Sequence, residues 1–210
     1  MKKPKEANKN PSQFPLREKR KAETRLQLIA SAQKLFSTKG YAQTTLEEIA
    51  EDAGLHVQTL YRHFANKQEL AATGDQEHLA RFRELIRSPQ RPTSTFALWR
   101  DWVRSSAERV TRNDGGVHYR EILTERFSLA SVSTQILRNG YEYEDLLCES
   151  LGKELRAIPD GERQARVIAA TLWAMNAYVV RRYHEQQISD LVAEVVRVID
   201  EVEEMHSHLF

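Results

Sequence analysis

One cysteine in 210 residues excludes an internal disulfide, and with it the stapled scaffolds of small secreted chains. No grouping of histidines with that thiol has zinc-finger spacing, so no structural metal is expected. Long apolar runs are missing too. The longest nearly uncharged stretch, 167–180, has 14 residues against the roughly 20 that cross a bilayer, and is expected to be a buried helix. After the basic start Met1-Lys2-Lys3-Pro4-Lys5, the polar residues Glu6 to Asn10 stand where an export signal needs an apolar segment. A cytoplasmic protein without a membrane partner is the expectation. There is no glycine-rich phosphate loop, no nucleophile elbow and no acid, base or nucleophile constellation, so neither an enzyme nor a cofactor is expected.

What is present is an asymmetry of charge. The whole chain has 31 basic and 30 acidic residues, but residues 1–25 hold nine Lys/Arg against three Glu. The molecule is a basic tip on a mildly acidic body, and a polyanion suits the tip. Composition alone also fits a solvated, disordered tail over 1–18, because Pro4, Pro11 and Pro15 with polar neighbours cannot bury a core.

Helical spacing takes over where the prolines stop. Leu28, Ile29, Ala32, Leu35 and Phe36 predict a helix over about 19–38, ended by Gly40. Thr45 with Glu48 forms a capping box opening a short helix that Gly54 closes. Val57 to Phe64 predicts a third helix, anchored by Leu60 and Phe64. Asn66 with Glu69 is a second capping box, opening a helix that runs to about Arg87, roughly 33 Å long and able to leave one domain for another. Beyond Pro92, helices are expected over 96–112, 117–127, 131–156, 160–187 and 190–206, so the fold class is all-α. In the last one, Leu191, Val195, Val198 and Val202 form an apolar seam.

Two short helices at 45–53 and 57–64 around a glycine turn, braced by the first, have the pattern of a helix-turn-helix over 19–66. The run Leu28-Ile29-x2-Ala32-x2-Leu35-Phe36-x3-Gly40-x3-Thr44-Thr45-x3-Ile49-Ala50-x2-Ala53-Gly54-Leu55-x3-Thr59-Leu60-Tyr61-x-His63-Phe64-x-Asn66-Lys67-x-Glu69-Leu70 resembles the DNA-binding domain of the TetR family of transcriptional regulators. The resemblance covers about 25–70; beyond it only length and helix order fit. His56 and Gln58 depart from the commonest family pattern, in which Ser or Thr and Gly stand there. They bear on base preference rather than on fold.

Helix N-termini bind phosphate through free N–H groups, which makes Thr45 and Lys67 candidate clamps on the DNA backbone. The resemblance implies that Thr44, Thr59, Tyr61 and His63 touch it as well; for Thr59 and His63, capping and packing are the plainer alternative. Gln58 can pair with adenine, Val57 can press on a thymine methyl, and Glu47 can accept from cytosine unless it is simply a solvated first-turn acid. Arg20, Lys21 and Arg25 are the arm residues expected at phosphates or the minor groove.

For residues 67–210 the resemblance implies an effector-binding and dimerisation bundle. A homodimer on a palindromic double-stranded DNA operator, released by a small, largely apolar effector, is the expected function; the alternative is an architectural or protein-interaction module of the same fold without a ligand. Val180 and the seam Leu191, Val195, Val198 and Val202 are the expected dimer surface. Trp99, Trp102, His118, Tyr119, Phe127, Trp173, Asn176 and Tyr178 are the candidate pocket, though aromatic residues at helical spacing also make plain core. Gly74, inside the fourth helix, is either a hinge or an imperfection. Ser150-x-x-Lys153, His206-x-His208 and Cys148 are read as coincidence, solvated ligands and an inert thiol.

Overall fold

The computed structural model describes the backbone of residues 13–91, 94–112, 116–128 and 130–210, and their side chains other than 13–15, 118, 125–128 and 130–136. Among the described residues the chain is helical without strands. The order is α1 (Gln13–Thr38), α2 (Leu46–Asp52), α3 (Val57–His63), α4 (Lys67–Arg87), α5 (Thr95–Thr111), α6 (Val117–Ser128), α7 (Ala130–Glu154), α8 (Gly161–His184) and α9 (Leu191–Met205), then a 3-10 turn at Ser207–Leu209. Among the described residues no helix is long and apolar enough to cross a membrane.

Caps set most boundaries. At α2 the box is complete: Thr45 Oγ1 accepts from the Glu48 N–H, and Glu48 accepts from the Thr45 N–H. At α4 it is half formed, because Asn66 accepts from the Glu69 N–H at 2.8 Å while Glu69 turns to the Ala65 N–H at 2.7 Å. α1 begins at Gln13 rather than near 19, so residues 13–18 of the expected arm are helical. Pro15 is tolerated there because a first-turn N–H has no intrahelical partner. Residues 1–12 of that arm lie outside the described residues.

Two hydrophobic cores result. The first joins α1 to α3 through Leu28, Ile29, Phe36, Ile49, Leu60 and Phe64, with Leu70 from α4. The second packs α4, α5, α7, α8 and α9 around Phe82, Trp99, Leu147, Leu172 and Val198. α4 belongs to both, contributing Leu70 to one and Leu79, Phe82 and Ile86 to the other. α6 makes a second bridge, since Ile122 packs against the first core and Tyr119 against the second. Along α4 and the turn after it, Arg83, Arg87 and Arg91 pair with Glu142, Glu149 and Glu154 of α7.

The apolar seam of α9 is not where it was expected. Leu191, Val195, Val198 and Val202 are buried within the chain's own second core, at 1–3% exposure, against α5 and α8. A single stripe can face only one way, and here it completes the protomer. Val180 is half-buried. The outward apolar surface lies instead on α8, where Val167 (46%) and Tyr178 (38%) are exposed together with Ala174 and Ala177.

Two glycines mark close approaches. A Cβ on Gly74 would come within 2.9 Å of Gln33 Nε2, the movable end of an α1 side chain, so Gly74 sits at the α1–α4 contact rather than at a bend. A Cβ on Gly161 would lie 2.1 Å from the Leu155 carbonyl oxygen, which is backbone and cannot step aside. Opposite outcomes are expected in urea unfolding. Gly74→Ala should gain up to about 1 kcal/mol from helix propensity, while Gly161→Ala should lose roughly 1–3 kcal/mol to overpacking.

Candidate nucleic-acid interface and ligand core

The recognition corner is built by small residues. Ala50 and Ala53 are buried and let α2 and α3 cross closely, and Gly54, at φ +67°, turns the chain between them. The Leu55 N–H donates to the Ala50 carbonyl at 2.8 Å and locks that turn. Leu60 and Phe64, at 0% and 1% exposure, hold α3 down. The opposite side of α3 therefore carries Gln58, Tyr61 and Arg62 into solvent, one helical face at i, i+3 and i+4. Tyr61 is 52% exposed, and its hydroxyl donates to Glu47 at 3.4 Å across the α2–α3 corner. Val57 is half-buried, and Thr45, Arg20 and Lys21 are exposed. His56, the α3 N-cap, makes no side-chain cap bond. Gln58 and Tyr61 are thus exposed on the face that the sequence assigned to bases and backbone.

Three expected contact residues, Thr44, Lys67 and Arg25, are instead committed internally. Thr44 is 1% exposed, and its hydroxyl donates to the Gly40 carbonyl at 2.7 Å, which leaves no donor for a phosphate. Lys67 folds back over the Tyr41 ring, 4.3 Å from its centroid, and donates to the carbonyls of Tyr41 (2.7 Å) and Thr44 (3.1 Å). Arg25 donates to the His63 carbonyl and to Thr73 Oγ1, each at 3.2 Å, with its guanidinium 4.5 Å from the Phe64 ring centroid. It joins α1, α3 and α4 rather than extending as an arm. Thr59 is half-buried and accepts from Arg62 at 3.1 Å, in line with the packing alternative. His63 is half-buried; burial first, then Arg25, Lys21 and Arg62, holds its imidazole below the usual value and hence neutral at pH 7. No spacing signal separates a lysine that reaches outward from one that folds back onto carbonyls.

In the second core the rings converge. Phe82 meets Trp99 edge-on at 5.3 Å and Tyr143 at 5.1 Å; Tyr143 stacks on Trp173 at 5.2 Å with planes 8° apart; His78 stacks on Trp102 at 4.3 Å. Three of the expected pocket residues, Trp99, Trp102 and Trp173, belong to this cluster. His78, Phe82 and Tyr143 join them without having been singled out, because contacts between α4, α5 and α7 are set by packing angles that no local period records. Tyr119 stands apart, 6.4 Å from Tyr183, and burial pushes its phenol up to about 12. Asn176 is half-buried. Tyr178 points away from the core: it is exposed, with the guanidiniums of Arg181 and Arg182 within 5.7 Å and 5.5 Å of its ring centroid. The side chains of His118 and Phe127 lie outside the described residues. Among the described residues, two buried side-chain nitrogens have no hydrogen-bond partner, Trp99 Nε1 and Arg182 Nε. Such a group costs about 1–3 kcal/mol. Among the described residues, no three His, Cys, Asp or Glu side chains gather to hold a metal ion.

Two predictions come from this geometry. Because its ammonium ties the loop at 41–44 to α4, Lys67→Ala should lower the unfolding free energy by about 1.5–3 kcal/mol in the absence of DNA; a thermal melt of the free protein checks it. His78 is pushed down to about 3, by burial first and then by Arg109 and Arg81. A depressed histidine contributes stability that is complete above its unfolded value near 6.5 and is lost as pH falls towards 3, because the unfolded chain takes up the proton first. Urea unfolding between pH 6.5 and 4.5 should therefore lose up to about 1.4 kcal/mol per pH unit from this group, and His78→Phe should flatten that slope.

Residues 28–73 match the family described as bacterial regulatory proteins, tetR family. Over 203 residues the chain is 30% identical to the HTH-type transcriptional regulator TcmR of Streptomyces glaucescens, which covers 93% of this chain and 88% of that one. Among solved structures, the fatty acid degradation regulator FadR from Bacillus halodurans aligns with a TM-score of 0.60 at 25% identity, over 85% of this chain and 94% of that one. The transcriptional regulator FadR from Bacillus subtilis, in complex with stearoyl-CoA, shares the fold with a TM-score of 0.53 at 18% identity, over 84% of this chain and 96% of that one. With a helix-turn-helix in the matched segment and a relative aligned along almost the whole chain, the protein belongs to the tetR family of bacterial regulatory proteins, as a DNA-binding transcriptional regulator and not an enzyme.

Proposed function

We propose that the protein is a homodimeric cytoplasmic repressor that occupies a palindromic operator and leaves it when a small, largely apolar effector enters the second core. The observation that carries this reading is the double membership of α4. One helix holds Leu70 in the DNA-binding core and Phe82 in the aromatic cluster, so a guest that displaces the rings also displaces the recognition corner. The effector acts by binding the displaced form better. Moving the population from 1:99 to 99:1 needs a preference of about 5.5 kcal/mol. A regulator of the same fold has been solved in complex with stearoyl-CoA, which supports a small-molecule effector.

Dimerisation is supported by α8. Ala165, Ile168, Ala169, Leu172 and Val179 face the core, yet Val167, Ala174, Ala177 and Tyr178 continue an apolar stripe on the outside. Small side chains there let a second α8 approach closely. A two-fold pair sets two α3 helices one DNA turn apart, roughly 34–36 Å, which requires a palindrome.

Selection of bound sequences from a random duplex pool tests the reading directly; no enriched palindrome would overturn it. On the selected operator, Tyr61→Ala should weaken binding at least about tenfold, with the free protein's melting temperature unchanged. Gln58→Ala should cost about 1–3 kcal/mol and relax preference at one base pair. Sedimentation separates the outward face of α8 from the α9 seam. Ala174→Arg should yield a folded monomer, whereas Val198→Asp should unfold the protomer by burying an unpaired charge.

A further inference from the structure

α3 arranges its side chains around one buried anchor, Leu60, which is 0% exposed. At about 100° per residue, Gln58 and Arg62 each stand roughly 160° from Leu60, one on either side of the point opposite it, while Tyr61 is only about 100° away. Both crest residues are exposed. The crest is therefore shared by one amide and one guanidinium, with Tyr61 on the flank, where its hydroxyl donates to Glu47. A helix laid in the major groove turns its crest to the base edges and its flanks to the phosphate walls. Arg62 has no role in the function proposed above, yet it occupies that crest.

The guanidinium is held there by its own helix. Arg62 Nη2 donates to Thr59 Oγ1, three residues earlier, at 3.1 Å, so the side chain lies back along α3 towards the turn that carries Gln58. A hydroxyl takes one donor and leaves the charge uncompensated. Other cations of the domain are engaged within it: Lys34 and Lys39 pair with Asp52 and Glu48, while Lys67 and Arg25 donate to backbone carbonyls. Among the described residues Arg62 has no carboxylate partner. Its remaining N–H groups still include a parallel pair, the geometry that matches O6 and N7 of guanine in two hydrogen bonds. Gln58 and Arg62 are about 6 Å apart along the helix axis, close to two base-pair steps of about 3.4 Å.

We propose that Arg62 is a second base-reading side chain, that in each half-site it reads a guanine within about two steps of the base pair met by Gln58, and that Thr59 is its positioning residue. The inference deepens the operator reading above and rests on it.

The test alters the DNA as well as the protein. With the full chain on the operator selected from the random duplex pool, each half-site guanine is replaced in turn by 7-deazaguanine, which pairs with cytosine but lacks the N7 acceptor. One replacement, within about two steps of the base pair whose preference Gln58→Ala relaxes, should weaken binding about tenfold. Arg62→Ala should abolish that sensitivity and leave the free protein's melting temperature unchanged. Arg62→Lys, which keeps the charge but not the fork, should abolish it too. Thr59→Val should reduce the effect to about threefold, and Thr59→Ser, which retains the hydroxyl, should restore it; unchanged sensitivity in Thr59→Val removes the positioning role. The guanine scan on the unaltered protein decides the matter should Arg62→Ala fail to fold. A phosphate contact gives another pattern, in which Arg62→Ala weakens every duplex alike and lowers the salt slope by about one unit, and that pattern would overturn the proposal. An operator whose guanines are all insensitive, or whose sensitive guanine stays so in Arg62→Ala, overturns this inference alone and leaves the operator reading. A pool with no enriched sequence overturns both.

Discussion

A 21-residue helix with buried side chains at both ends cannot shift in one core without shifting in the other. Leu70 is held by the helix-turn-helix, and Leu79, Phe82 and Ile86 by the bundle. An interior packed at crystal-like density does not deform smoothly, so a guest among the rings moves the helix as a body. Every other feature bears on how stiff that coupling is. The Arg–Glu pairs along α7 register α4 on the bundle, Gly74 lets it lie close to α1, and α6 ties the two cores together at a second point through Ile122 and Tyr119.

The DNA-facing half is stiffened by cations turned inward. Arg25 links three helices through one guanidinium, and Lys67 donates to the Tyr41 and Thr44 carbonyls of the α1–α2 loop. Buried carbonyl groups need donors, and a long side chain with several protons can serve two of them at once. What remains outward is a small set: Gln58, Tyr61 and Arg62 on α3, Thr45 at the start of α2, and the exposed basic residues of α1. That division separates residues that shape the recognition surface from residues that meet the duplex. It also explains how a body with more acid than base can present a face suited to a polyanion, since the Glu47 and Glu48 carboxylates are engaged by Tyr61 and Lys39.

The aromatic cluster shows a similar economy. Six ring side chains from four helices fill the bundle centre, yet among the described residues one indole N–H is unsatisfied. A core evolved for stability alone has little reason to keep such a donor. The α8 exterior is the counterpart at the surface: a helix apolar on more sides than its own domain covers.

Element order, the capped starts of α2 and α4, the helix-turn-helix and the all-α class were legible in the sequence, because periodicity, caps and glycine stops act over a few residues. The recognition face was legible too, since Leu60 and Phe64 must point inward and thereby turn Gln58 and Tyr61 outward. Side-chain destinations over longer range were not. Whether Lys67 reached a phosphate or a loop carbonyl, whether Thr44 was open or buried, whether the Val195–Val202 seam served a partner or the protomer, and whether Tyr178 lined the core or the exterior all depended on which helix lay opposite. Local pattern states that a stripe must be covered; only the tertiary packing of the nine helices among the described residues decides by what, because crossing angles and neighbours arise from the summed contacts of residues distant in the chain.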